Sequence, residues 1–202
     1  MQSCTRLRRT GEGGYSLIEM MLVVGILGVL AAAAVVQIGT TSAAMKGDGA
    51  MRVVRSQLNQ AQQMSITQRR YMRVTFDSTS NQVSIVREEV AGTTTTLSSV
   101  PFEGGAQFML TTGLPDTPDA FGKTAATAFT SPQGTFASAT GSTSVAKFAP
   151  DGTLVDWNGQ LTNGTVFTAL PQSSLSARAV TVLGSTGRVR AYRWNGKAWV
   201  LV

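Results

Sequence analysis

Residues 13–36 read GGYSLIEMMLVVGILGVLAAAAVV, apolar almost throughout and carrying one carboxylate, Glu19. Residues 20–45 contain no charge at all. Residues 20–36 are 17 in number and nearly all aliphatic, Ala or Gly. As a helix they span about 26 Å, close to a bilayer core of about 30 Å. Such a stretch reads as a transmembrane helix. Arg6, Arg8 and Arg9 precede it, which places the N-terminus in the cytoplasm and the rest of the chain across the membrane.

Two other readings fit less well. A secretory signal runs basic, apolar, then small-residue cleavage site, whereas here Gly13 and Gly14 precede the apolar run. A lipoprotein cysteine follows its apolar stretch, and the single cysteine, Cys4, comes before it. One cysteine also excludes intramolecular disulfides and thiolate metal clusters. The chain has no histidine, which removes the commonest general base and imidazole ligand. With 43% hydrophobic and 14% charged residues, the composition is globular or membrane-linked.

The segment GGYSLIEMM resembles the class III signal of type IV pilins and type II secretion pseudopilins. The resemblance implies that a prepilin peptidase cuts between Gly14 and Tyr15, and that Tyr15 becomes an N-methylated first residue. Tyr in place of the commoner Phe is a mild departure. Glu19 is then the fifth mature residue, as in the family. A carboxylate at mid-bilayer costs on the order of 2.5–3.5 kcal/mol, less near an interface. The family implies a compensating cation, the freed α-amine of Tyr15 or of a neighbouring subunit. An interfacial Glu lying among headgroups is the alternative. Many major pilins close a C-terminal loop with a disulfide, and residues 15–202 contain no cysteine. This points to a minor pilin or pseudopilin. Implied partners are the prepilin peptidase, other pilins or pseudopilins and an inner-membrane assembly platform. No cofactor is expected.

The expected fold class is α+β, a long N-terminal hydrophobic helix followed by an antiparallel β-sandwich-like domain. The organisation is a leader at 1–14, a transmembrane and filament-core helix at 15–45, and a periplasmic globular domain at 46–202. Gly39, Gly47 and Gly49 weaken a helix by up to about 1 kcal/mol each, so a bend or loosened stretch is expected around 39–49. Helix resumes over 50–69, with Val54, Leu58, Ala61, Ser65 and Ile66 on one face and Arg52, Arg55, Asn59 and Gln63 on the other. Residues 71–76 and 82–86 alternate around the turn-rich DSTSN and predict a hairpin. Residues 91–144 read as loops with short strands, whose recurring phenylalanines send some rings to the core. Pro150-Asp151-Gly152 marks a turn between strands at 145–149 and 153–157. Further strands are expected at 165–170, 178–183 and 187–194. Asn195-Gly196 suits a two-residue turn closing a terminal hairpin.

Charge is patterned. Residues 46–73 carry net +5, 74–177 net −5, and 178–202 net +5. With a two-residue turn, one face of the terminal hairpin holds Arg188, Arg190, Tyr192, Trp194, Lys197 and Trp199. The opposite face, with Val189, Ala191, Ala198, Val200 and Val202, is the expected core side, with Arg193 intruding. A face interleaving cations and aromatics suits nucleic acid. It equally suits an exposed strand pair with cation–π contacts, or an acidic patch on another subunit.

This C-terminal segment resembles the H-type pseudopilin and FimT-like minor-pilin family, whose members often carry Gly-Arg-x-Arg near the end, here Gly187, Arg188 and Arg190. Some FimT-like proteins are implicated in DNA uptake. The first functional expectation is therefore a structural subunit that initiates or caps a type IV pilus or type II secretion pseudopilus. The alternative is a minor pilin that binds DNA through the terminal hairpin. Catalysis is not expected, since the sequence offers no metal-ligand cluster, Walker-type loop or acid–base pair.

Overall fold

The computed structural model describes residues 15–89, 92–123, 125–131, 134–135 and 143–202, with side chains outside 34–41 and 128–143. One helix, α1 (Leu17–Gln68), opens the fold. Among the described residues twelve strands follow: β1 (Met72–Asp77), β2 (Gln82–Glu88), β3 (Thr94–Pro101), β4 (Gln107–Phe108), β5 (Thr127–Ser131), β6 (Gly134–Thr135), β7 (Thr143–Phe148), β8 (Leu154–Val155), β9 (Asn163–Leu170), β10 (Ser173–Leu183), β11 (Arg188–Trp194) and β12 (Trp199–Leu201). The class is α+β, a helix followed by antiparallel sheets. The first sheet has the order β3-β2-β1-β7-β8, and the second β12-β11-β10-β9-β5-β6, with β4 also paired to β9. The chain divides into two compact units after Gly39.

In the second unit, one face of α1 supplies Met51, Val54, Leu58 and Ala61 to the main core. Val74, Phe76, Ile85 and Phe148 meet them from the first sheet, and Val166, Val180, Val182 and Ala191 from the second. Ser65 completes the buried stripe, but Ile66, expected on it, is half exposed. The helix ends just beyond it. Arg69 takes a left-handed φ of 50°, and the Arg70 N–H donates to the Ser65 carbonyl at 3.2 Å. This is a Schellman-type stop with arginine where glycine is usual.

The helix is not interrupted at 39–49; α1 runs through these residues. Gly47 serves close packing. A Cβ there would stand 2.3 Å from the Ser176 carbonyl oxygen on β10. Beside it, Arg178 is fully buried. Its Nε donates to Asp48 at 2.6 Å, and its other nitrogens to the carbonyls of Ala44, Leu175 and Ala177, each at 2.9 Å. Two contacts on α1 and two on β10 fasten this part of the helix to the sheet.

The hairpin of β1 and β2 forms as the alternation predicts, with Asp77 opposite Gln82. Asp77 accepts from the Thr79 N–H and the Ser80 hydroxyl, at 2.8 and 2.7 Å, and holds the turn. Pro150-Asp151-Gly152 is a turn, with Gly152 at φ 85°. Within 91–144, Phe108 enters the main core, with the Phe102 ring tilted against it, centroids 4.6 Å apart. Phe136 lies outside the described residues.

The N-terminal motif and the covered terminal sheet

Gly14 lies outside the described residues. Tyr15 is exposed, and the Ser16 carbonyl accepts from the N–H groups of Glu19 (3.0 Å) and Met20 (3.2 Å), so α1 starts there. Glu19 falls in the first helical turn and is exposed. An anion in that place is favoured by the helix dipole by about 0.3–1 kcal/mol. The apolar side chains that follow are exposed, Leu17 at 78% and Leu30 at 61%. Among the described residues, no helix is long and apolar enough to cross a membrane. The apolar stretch whose side chains are described, 17–33, spans about 26 Å.

The C-terminal hairpin departs from its expected arrangement. Trp194 pairs with Trp199 and Arg193 with Val200, so the connection is four residues, 195–198, rather than two. The Asn195 side chain explains it. Its Oδ1 accepts the N–H groups of Lys197 and Ala198, at 2.9 and 2.8 Å, while its own N–H donates to the Ala198 carbonyl. Gly196 supplies φ 96°.

The face expected to be open is covered. Tyr192, Trp194 and Trp199 form a second core with Phe167, Ala169, Ala177 and Ala179, and Met109, Leu110 and Leu114 pack over it. The aromatic rings therefore offer no faces for stacking on bases. Of the cations, Arg188 and Lys197 are exposed and Arg190 is partly so. The second sheet is thus buried on both faces, which explains why residues 176–182 of β10 are buried without a break.

A strap, residues 109–123, makes this cover. The Trp199 indole N–H donates to the Pro115 carbonyl at 2.9 Å. Asp119 is its chief anchor, accepting from the Thr181 hydroxyl at 2.6 Å and from the Arg190 guanidinium and the Tyr192 hydroxyl, each at 2.9 Å. Burial alone would raise the Asp119 pKa, but the hydrogen bonds from Thr181, Tyr192 and Arg190 outweigh it and hold the carboxyl below the ordinary range. Burial, and then Asp119, push the Tyr192 phenol up. Sequence reasoning gave no sign of Asp119 or Arg178. Nothing in the PDTPDA loop marks one aspartate as the anchor, and Arg178 lies in an otherwise ordinary strand run.

Elsewhere Arg73 pairs with Glu88 and stacks over Trp157, and Lys147 sits 4.3 Å from the Tyr71 ring. Among the described residues, no group of three or more His, Cys, Asp or Glu side chains is placed to hold a metal.

Residues 9–35 match the family model of the prokaryotic N-terminal methylation motif. The match covers the N-terminal segment, with Gly14, Tyr15 and Glu19 inside it. Among solved structures, the type IV minor pilin FimU of Pseudomonas aeruginosa is similar at 14% identity, with a TM-score of 0.48, over 76% of this chain and 91% of that one. No curated protein matches the sequence.

Proposed function

We propose that the chain is a structural subunit, a minor pilin or pseudopilin, that helps initiate or cap a type IV pilus or a type II secretion pseudopilus. The observation that carries this reading is the N-terminal methylation motif at residues 9–35. In this reading Gly14 is the last leader residue and Tyr15 the first mature one. The prepilin peptidase makes the cut, and the inner-membrane assembly platform receives the subunit. The apolar part of α1 lies first in the inner membrane, with the N-terminus cytoplasmic and residues after 45 periplasmic, and then packs against other pilin helices. Arg6, Arg8 and Arg9 support that orientation.

Glu19 has its role in the second environment. Cleavage creates an α-amine at Tyr15, and a carboxylate one turn away pairs with it or with that of a neighbouring subunit. The pair fixes axial register between helices and offsets the cost of a carboxylate in apolar surroundings. The work proposed is assembly, not catalysis. Mass spectrometry of the protein from its host tests the reading. An N-methylated Tyr15 N-terminus is expected, and any other mature N-terminus rejects it.

The DNA-uptake alternative is less well supported. Its stacking platform of Tyr192 and Trp194 is buried, and Arg190 is engaged with Asp119.

A further inference from the structure

The uncompensated charge of the second unit is positive, and part of it is gathered in one place. After residue 40, every acidic side chain except Glu103 accepts a hydrogen bond or ion pair from its own chain. No ion pair engages Arg52, Arg55 or Arg193 among the described residues, and all three are exposed.

These arginines lie along one seam. Arg193 on β11 is opposite Val200 on β12 and Arg178 on β10. It shares a strand face with Ala191, which packs in the core with Met51 and Val54 of α1. Arg178 reaches Asp48, and Arg52 is one helical turn further along α1. Arg55 donates to the Val202 carbonyl at 3.2 Å. On α1, Arg52 and Arg55 line a shallow open depression of about 430 Å³ with Ser56, Asn59, Gln60 and Gln63.

The other side of the seam is a sheet edge, because β12 ends the strand order. The Val202 N–H donates to Ala191 and the Asn195 N–H to Ala198. By antiparallel alternation, Val200 turns its backbone toward β11, while Trp199 and Leu201 turn theirs outward. Val200, Leu201 and Val202 are 41%, 59% and 53% exposed. An edge of only three residues guards against indiscriminate pairing, so any strand added here needs the arginines to hold it.

We propose that this seam receives an extended acidic segment of another protein, added beside β12 as a further strand, with its carboxylates on Arg52, Arg55 and Arg193. Strand addition takes affinity from backbone pairing and specificity from side chains. A second copy of this chain is a poor occupant, because its acidic side chains after residue 40, Glu103 excepted, are already engaged. Single-stranded nucleic acid is a poor one too, because a seam without exposed aromatic rings gives bases nothing to stack on.

The test uses the full chain in detergent micelles and a fluorescein-labelled peptide of alternating Glu and Val, followed by fluorescence anisotropy. Binding is expected at low ionic strength, falling about tenfold as salt screens the arginines. The combined Arg52→Gln, Arg55→Gln and Arg193→Gln variant is expected to lose about tenfold or more in affinity. Leu201→Pro is expected to lose a comparable amount, since it removes an outward N–H and leaves the pairing with β11 intact. No binding at low salt overturns the proposal. So does equal binding of a Lys–Val peptide, or binding indifferent to both variants. A duplex oligonucleotide bound in place of the peptide, or self-association abolished by the same variants, overturns it in favour of those occupants. The mature N-terminus is independent of every one of these outcomes, so this idea and the filament reading fail separately.

Discussion

The apolar side chains of α1 at 17–30 and the aromatic side chains of β11 and β12 are treated in opposite ways. Leu17, Ile18 and Leu30 are exposed, while Tyr192, Trp194 and Trp199 lie under a strap. Yet in the sequence the helix stretch carries a single charge, Glu19, and the hairpin aromatics alternate with arginines. Hydropathy alone would bury the first and expose the second. The difference lies in what each region has within its own chain. The terminal sheet has a strap and an aspartate to cover it, whereas apolar surface left open on this scale marks a place where another molecule belongs.

The comparison can be broken most forcefully at its buried cations. Arg178→Ala leaves Asp48 and the carbonyls it served without a partner. A loss of about 3–5 kcal/mol is expected, read by urea denaturation with tryptophan fluorescence. Trp194→Ala is expected to cost about 3–5 kcal/mol by the same measurement. Had that ring been on an open face, the change would be within about 0.5 kcal/mol, so a small effect would restore the exposed-hairpin arrangement. Leu22→Ala, in contrast, should leave unfolding of the second unit unchanged and lower incorporation into filaments, scored by sedimentation.

Asp119→Asn is expected to cost about 1–3 kcal/mol near neutral pH. Its sign with pH follows from a folded pKa below the ordinary value of 3.8. The stabilisation is complete above that value and is lost as pH falls through the lower folded pKa. The variant should therefore show a shallower acid limb below about pH 4, with smaller exposure of the indoles on acidification. The smallest effect is a gain. Arg69→Gly relieves a left-handed residue at the helix stop and should stabilise by about 1 kcal/mol.

Much of the fold was legible where local chemistry decides it. Asp77 to Gln82 and Pro150 to Gly152 are turns whose residues carry their own geometry, and the buried stripe of Val54, Leu58 and Ala61 follows from helical spacing. The failures were tertiary. Gly47 looked like a weakness in α1 because nothing in the sequence announces the Ser176 carbonyl against which it packs. Strand alternation sorted the terminal hairpin into its two faces but not which is closed: Tyr192, Trp194 and Trp199 lie under the strap, whereas Ala198, Val200 and Val202, expected on the core side, are exposed. The helix end was placed within one residue of Gln68, although Arg69 stands where glycine is usual. Of the N-terminal site, the motif was fully legible. The pairing of Glu19 was not, because the cation proposed for it arises only on cleavage.

The contact between Gly47 and Ser176, with Arg178 beside it, also has a mechanical meaning. Strand β10 has neighbours on both sides, β9 and β11. Tension drawn along α1 therefore enters the sheet at an interior strand, through backbone touching backbone and through a guanidinium with four partners. The pull is shared by the rungs to β9 and to β11, where an edge strand would have rungs on one side alone. A subunit tugged by its helix would keep its shape longest under that arrangement.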